Sequence, residues 1–547
     1  MTDTDFIIIS QADVVDYEAY SRLPVERIAL FRDLVYPRML YFRGGFRSHL
    51  DVLNYARRGS FFCEAGYPER REMLNIWNLP GLSGMHLAAY LLHYGIKTKV
   101  INNLSSEWDS FAAAYEACAR PPLVGLSSTF HLSFASVQKL CKQLRSAYPG
   151  IEIVTGGAFI NERATNGGPA QLERPMRKCG IDYSLFAFNS EPDLRDLLTA
   201  RKTGAPLAGV NNLAAFNGGA ASGSFFLTGE QWNPPVLDEM PPLWDKIAPD
   251  TVHRTVQLRT SSGCMFACAF CSYPVVARGF HAMGVEAIAG NLEAALRIPG
   301  VDRIIFVDDT FNVPVQRFRE MCALFKKHNF EWFCFLRAQF VDEELAGLMR
   351  DSGCRGVYLG IESASDVILK NMNKKSTARQ YREGVGFLKK SGITTIGAFI
   401  IGFPGETAGT VEEDIRFIEE TGLDFYTLKE YYFMEHTPAY RDRARYGLSG
   451  APAGWKHDTM DYAGAHAKKA EIFSRVKNSV FMDPDTNLWQ LAYLYDQGFT
   501  FAEIAEMQRC LNRLMEKQMA GAFNDKDEDF GRIEAIVKGA AYGRKGK

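Results

Sequence analysis

Three cysteines are grouped in the segment Ser261-Ser262-Gly263-Cys264-Met265-Phe266-Ala267-Cys268-Ala269-Phe270-Cys271, with the spacing CxxxCxxC. Three thiolates satisfy three irons of a cubane and leave the fourth open to a ligand that is not protein, whereas a cluster that only carries electrons usually takes four cysteines. An open iron implies chemistry at the metal. Zinc is the competing reading, since structural zinc also takes three cysteines and a histidine. Its usual pattern is two short ligand pairs, however, and no nearby histidine completes this set. The other eight cysteines, Cys63, Cys118, Cys141, Cys179, Cys322, Cys334, Cys354 and Cys510, are scattered; isolated cysteines are usually small buried hydrophobes.

The elements that must hold this loop recur after it. Apolar strand patterns at 255–259, 303–307, 332–336, 356–361, 394–401 and 425–432 alternate with amphipathic helical patterns. Six such units predict an open, partial (β/α)6 barrel over 254–433, related to the eight-fold design whose chemistry sits at the C-terminal strand ends. The cysteine loop follows the first strand. Asp308 and Asp309 end the second, Arg337 the third, Gly360-Ile361-Glu362-Ser363-Ala364-Ser365 the fourth, and Gly397 to Glu406, GAFIIGFPGE, forms the fifth. Carboxylates at a strand end suit a cation, and a planar guanidinium suits a carboxylate.

Ahead of the barrel, residues 78–200 alternate helix and strand patterns as a parallel α/β layer does. Leu123 to Leu126 runs into Ser127, Ser128 and Thr129, and Ile151 to Val154 is stopped by Gly156 and Gly157, which let backbone approach a ligand closely. The predicted organisation is a Rossmann-like domain over 1–215 with an insertion at about 15–78, a Gly- and Pro-rich linker at 216–253, the barrel at 254–433, and a mostly helical region at 434–547. His86 falls in a predicted helix, where a lone histidine reads as a packed side chain.

Bulk composition narrows the function classes. The 547 residues exceed the size at which a single core stops growing. A formal charge of -2, with 23% charged residues, lacks the footprint expected of nucleic-acid binding. The opening MTDTDFIIIS has neither the basic start nor the small-residue cleavage site of a secretory signal, and no apolar run approaches the ~20 residues that span a bilayer. These features predict a cytoplasmic chain with no membrane or nucleic-acid partner.

The cysteine motif, with Phe270 directly before the third cysteine, resembles the radical S-adenosylmethionine (SAM) superfamily. That resemblance implies that Cys264, Cys268 and Cys271 hold a [4Fe-4S] cluster whose open iron binds SAM, and that an external flavodoxin- or ferredoxin-type protein supplies electrons. It assigns SAM contacts to Phe270, Asp308, Asp309, Arg337, Glu362, Ser363 and Gly402. The front layer is similar to the cobalamin-binding domain of the class B members, which implies cobalamin, working as methylcobalamin, at Ser127, Ser128, Thr129, Gly156 and Gly157. The DxHxxG signature that supplies an axial histidine elsewhere is absent. The resemblance implies methyl transfer, an EC 2.1.1 type activity, to an unactivated carbon or phosphorus of a small molecule. The late segment Gly454-Trp455-Lys456-His457-Asp458-Thr459-Met460 is similar to the phosphinothricin-type P-methyltransferases of antibiotic biosynthesis, which implies an N-acetylated phosphinate substrate bordered by Trp455, His457 and Tyr432. Arg43, Arg47, Arg57, Arg58, Lys429 and Lys456 are the cations available to such a substrate. A cobalamin-dependent radical cyclase or ring contractase, and a non-catalytic iron-sulfur protein, are the alternatives.

Overall fold

The structure is a computed structural model, and it describes residues 4–11, 22, 38–62, 64–65, 69–131, 133–238, 243–247, 252–483, 487–521 and 527–542. Cys63 and most of the first half of the expected insertion lie outside the described residues.

The N-terminal half is built on strand β1 (Phe6–Gln11), whose six residues are all buried, as expected for a parallel strand covered on both faces. After the hairpin β2 (Leu40–Phe42) and β3 (Gly45–Arg47) come β4 (Thr98–Asn103), β5 (Leu123–Ser127), β6 (Ile153–Gly156), β7 (Tyr183–Leu185), β8 (Leu213–Asn217) and β9 (Ser224–Leu227). Apart from the hairpin they form one sheet in the order β4-β1-β5-β6-β7-β8-β9. It is parallel through β7 and antiparallel beyond. The chain winds outward in both directions from β1, so a ligand crevice is expected at the C-terminal ends of β1 and β5.

The stretch expected as a linker, 216–253, is corrected at its start. Asn217 to Leu227 turns and adds an antiparallel edge strand to this sheet, with Ala214 to Asn217 paired against Ser224 to Leu227. The glycines of GGAASGS form the hairpin turn rather than a flexible tether; Gly218 and Gly219 both adopt positive φ.

The second half carries β10 (Thr255–Leu258), the hairpin β11 (Ser261–Gly263) and β12 (Phe280–Ala282), then β13 (Arg303–Phe306), β14 (Glu331–Leu336), β15 (Cys354–Glu362), β16 (Thr394–Ile401) and β17 (Phe425–Glu430). After a three-stranded antiparallel sheet of β18 (Ser449–Ala451), β19 (Gly454–His457) and β20 (Met460–Asp461) comes the short β21 (Val480–Phe481). The main sheet runs β10-β13-β14-β15-β16-β17-β21, all parallel. All six expected barrel strands are present, and β21 adds a seventh that the sequence reading folded into the helical tail.

One hydrophobic core runs from Phe6 and Ile8 of the first sheet through the barrel to Leu511, Phe530 and Val537 of the C-terminal helices; a second fills the opposite face of the first sheet.

Candidate active site

The cysteine loop leaves β11 through Gly263, whose φ of +83° and closeness to the Gly279 carbonyl oxygen exclude any side chain. Backbone bonds then fasten the loop: Ala269 N–H donates to Met372 O at 2.8 Å, and Ala439 N–H to Ala269 O at 2.8 Å. Asn373 Nδ2 reaches Ala267 O at 2.7 Å. Cys268 is buried, with Cys264 and Cys271 half-buried. Burial pushes the Cys271 thiol up to about 12, and the nearby Cys268 and Cys264 sulfurs push the same way. Among the described residues no three His, Cys, Asp or Glu side chains gather closely enough to hold a single metal ion. The three thiols are near enough that the Cys268 and Cys264 sulfurs act on Cys271.

The strand ends surround this loop in two different ways. Asp308 is buried and committed: its carboxylate accepts from Thr260 N at 3.1 Å, from Thr260 Oγ1 at 2.9 Å and from Ser261 Oγ. It therefore ties β13 to the start of the cysteine loop. Asp309 instead keeps an exposed edge. Loss of water from around its carboxylate pushes its pKa up to about 7, against the Tyr273 hydrogen bond and with help from the Asp308 charge. Arg337 directs Nη2 to Cys268 Sγ at 2.8 Å and Nη1 to Lys374 O at 2.8 Å, with its plane 3.6 Å from the Phe266 ring centre. Such N–H bonds to a ligating sulfur are one of the protein's means of tuning a cluster. Phe270 meets Phe403 edge-on at 6.5 Å.

Glu362 stands at the bulge where β15 shifts register against β16, with φ of +68°. A non-glycine residue held there carries backbone strain, which concentrates at functional sites. Its carboxylate lies 3.4 Å from the buried Lys374 Nζ. The Ser363 hydroxyl donates to Asp414 Oδ1 at 3.1 Å and accepts from Ser365 N, so it secures the turn. Gly402, with φ of +89°, lies where a Cβ would strike Trp455 and Ala465. His457 Nε2 is 3.0 Å from Gly402 O, and the His457 ring stacks on Trp455 at 5.0 Å. Trp455 is 1% exposed and donates from Nε1 to Tyr431 O. Trp455 and His457 thus back the end of β16 from behind, whereas Tyr432 is 52% exposed and borders an open cavity.

Two cavities meet beside the cysteine loop. The first, of about 390 Å³, lies between the C-terminal ends of the two parallel sheets. Ser127, Thr129, Gly156 and Gly157 line it from the first sheet, and Gln257, Arg259 and Val307 from the barrel. Ser128 is buried beneath: its Oγ donates to Gly156 O at 2.7 Å and accepts from Ile160 N, which fixes the paired-glycine turn. At Gly157, φ is +105° and a Cβ would crowd the Ser128 and Thr129 backbone. His86 reaches the same cavity, but Arg259 Nη2 lies 3.2 Å from its Nε2. A guanidinium only donates, so a hydrogen bond here takes up the Nε2 lone pair, whereas one to the Glu191 carboxylate takes an Nε2–H. Burial, followed by the Arg259 charge, lowers the His86 pKa. Glu191 lies 3.4 Å from the same nitrogen. Glu191 Oε2 and Arg259 Nε are buried without a hydrogen-bond partner in the protein. A glycine cradle, hydroxyl rim, apolar walls and two orphaned polar atoms fit a large amphipathic ring with polar edges, as a corrinoid is.

The second cavity, of about 570 Å³, is bounded by Ser272 and Tyr273, directly after Cys271, and by Tyr432 and Phe433. Ala158, Phe188 and Tyr273 line both cavities, and the Phe188 and Tyr273 rings meet edge-on at 5.7 Å. Sequence reasoning missed Arg259, Tyr273, Phe188 and Gln257 as site residues. Arg259 follows the first barrel strand directly, a readable signal; the others are defined only by the approach of the two sheets.

Comparison with known proteins agrees with this geometry. Residues 258–418 match the family described as the radical SAM superfamily, and that segment is a radical SAM domain. An uncharacterized methyltransferase of Pyrococcus horikoshii is 29% identical over 317 residues, covering 54% of this chain and 68% of the relative. The anaerobic magnesium-protoporphyrin IX monomethyl ester cyclase of Rubrivivax gelatinosus is 27% identical over 317 residues, covering 56% of this chain but 55% of its own length. The solved radical SAM methyltransferase TsrM of Kitasatospora setae, with cobalamin and a [4Fe-4S] cluster bound, superposes with a TM-score of 0.57 at 16% identity, over 85% of this chain and 97% of that one. At that identity the likeness is one of fold. No helix among the described residues is long and apolar enough to cross a membrane.

Proposed function

We propose that the chain is a cobalamin-dependent radical SAM methyltransferase acting on a small molecule. The observation that carries this reading is the meeting of two cavities at Tyr273, two residues after the last cluster cysteine, one cavity fitted for a corrinoid and the other open to an acceptor. Bound cluster, SAM and corrinoid would supply an adenosyl radical and a transferable methyl group. The chain's own residues do the rest. Cys264, Cys268 and Cys271 hold three irons; Arg337 steadies Cys268; Asp309 and Glu362 offer carboxylates at the strand ends to the cationic end of SAM; and Asp308 and Ser363 position these loops. Ser127, Thr129, Gly156 and Gly157 receive the corrinoid, and Phe188 with Tyr273 separates its cavity from the acceptor's.

For the acceptor, the late segment that resembles the P-methyltransferases favours an N-acetylated phosphinate. Arg163 lines the acceptor cavity together with Glu162 and Glu435, while Arg43, Arg57 and Arg58 line a separate recess against the C-terminal helix. Neither a cyclase nor a ring contractase would retain the methyl group of SAM in its product. The test is turnover of anaerobically reconstituted protein with methyl-labelled SAM, a low-potential donor and a panel that includes N-acetylated phosphinates. Methylation requires label in the product and release of both S-adenosylhomocysteine and 5'-deoxyadenosine; a chain that takes up no cobalamin defeats the proposal.

A further inference from the structure

The corrinoid cavity has a third wall, which comes from neither sheet. Trp489, on the helix Asn487–Asp496 of the C-terminal region, lines it together with Gln257 and Phe130. Its indole Nε1–H donates to Gln257 Oε1 at 3.0 Å. Gln257, on the first barrel strand, is 7% exposed and its Nε2 donates to Pro80 O at 2.9 Å. One buried amide therefore joins three parts of the chain: the loop before the helix Leu82–His93, the barrel, and the C-terminal helix. Replacing it leaves the buried Pro80 carbonyl and the half-buried Trp489 indole donor without these partners, and an unpaired buried acceptor costs more than the bond itself is worth.

The aromatic arrangement points the same way. Phe130, directly after Thr129, is 38% exposed, although a phenyl ring favours burial. It packs between Trp77 at 5.5 Å and Trp489 at 6.4 Å, and Trp489 also meets Phe335 at 5.2 Å. Phe130 and the half-buried Trp489 indole thus give a cavity of about 390 Å³ an aromatic wall.

Resting on the reading of this cavity as a corrinoid site, we infer that Trp489 is a corrinoid-contacting residue and Gln257 its positioning residue, so that the C-terminal region is part of the cofactor site. Trp489 and Phe130 would hold a bound corrinoid by apolar contact, and Gln257 fixes the indole by its ring nitrogen. The C-terminal helix is thereby coupled to loading of the cofactor.

The experiment titrates the full chain, prepared without corrinoid, with hydroxocobalamin under anaerobic conditions. It follows the visible spectrum and the quenching of tryptophan emission, with the thermal midpoint of each apo-variant as the control for folding. Trp489→Ala weakens binding about tenfold or more, Trp489→Phe stays within about threefold, and Gln257→Leu falls between, since an aromatic face is kept in the second and only misplaced in the third. Trp489→Phe also quenches less per corrinoid bound than the wild type does. A role in folding alone would lower the thermal midpoint and leave affinity and quenching per bound corrinoid unchanged; that result overturns the inference. Wild-type chain that binds no corrinoid defeats the proposed function as well, whereas wild-type binding matched by Trp489→Ala defeats only the assignment of Trp489.

Discussion

At the scale of single residues, the buried carboxylates behind the fifth strand make the sharpest prediction. Glu406 and Asp414 are both fully buried, and Glu406 Oε1 and Asp414 Oδ2 have no hydrogen-bond partner in the protein. Burial pushes Asp414 up to about 7, opposed by bonds from the Ala364 amide and Ser363 hydroxyl. Burial and then the Asp414 charge push Glu406 well above the usual range, opposed by the Gly402 amide. Both shifts are upward, so the folded state prefers the protonated acids. Their contribution to stability is complete below the ordinary carboxylate range, about pH 4, and is lost as pH rises through about 7. Asp414→Asn keeps the oxygen that Ala364 and Ser363 use and removes the charge. It stabilises the chain at about pH 8 by on the order of 2 kcal/mol and flattens the fall in thermal midpoint above about pH 4. Parallel midpoint-versus-pH curves for variant and wild type would refute this. Arg337 gives a second prediction. Loss of its charged bond to Cys268 Sγ in Arg337→Ala costs about 2 kcal/mol of local stabilisation. The reconstituted variant then retains fewer irons per chain, measured by iron assay after gel filtration, while Arg337→Lys recovers part of the loss.

At the scale of elements, Gly263 joins the hairpin β11–β12 to the cluster loop. Gly263→Ala places a methyl group into the Gly279 carbonyl at a φ of +83°, and such strain costs about 1–3 kcal/mol or more. Iron content drops, whereas hydroxocobalamin binding persists because Gly263 lines neither cavity. Cobalamin loss in this variant would show that the cluster loop also shapes the corrinoid cavity.

The elements also show what sequence can and cannot disclose. The cysteine loop, the six barrel strands and the serine and glycine strand ends were legible because each depends on local pattern: a thiol spacing, an apolar run, a turn residue. Strand β9 reads as linker in the sequence because Ser224 to Leu227 is a short, only partly buried edge that follows a glycine-rich turn. Strand β21 is two residues long, below any periodicity. Asp308 and Asp309 are adjacent and identical in type, yet one is buried under Thr260 and the other keeps an exposed edge; only the path of the preceding loop distinguishes them. Trp455 and His457 carry the alternating burial of a strand, and their partner, Gly402, lies more than fifty positions away. Long-range packing of this kind leaves no mark on a short window of sequence.

At the scale of the whole molecule, the hairpin β2–β3 and the C-terminal helices are packed together, which predicts how it unfolds. Phe530, on the helix Glu528–Tyr542, is 5% exposed and lies 4.8 Å from the Phe42 ring and 6.2 Å from that of Tyr55. Its neighbour, the helix Phe501–Met519, bonds through Gln518 to Tyr41 N and Met39 O. The helix Phe501–Met519 packs on β21 and on the helix that carries Trp489, and so the C-terminal helices reach the barrel and the corrinoid cavity in one continuous core. A chain of separate lobes on a flexible linker would unfold in steps. Here a continuous core joins the lobes, so heating the apo-chain should give one transition by circular dichroism and tryptophan emission alike. Phe530→Ala removes a ring from the seam between the N-terminal hairpin and the last helix and costs about 3–4 kcal/mol. It should lower that single transition as a whole rather than release the C-terminal helices alone. The decisive observation is limited proteolysis of the variant below its midpoint. Protection that falls equally across residues 40–58, the barrel and 501–542 supports one cooperative body; selective cleavage of the last two helices, with the barrel intact, would show that the C-terminal region is an independent layer.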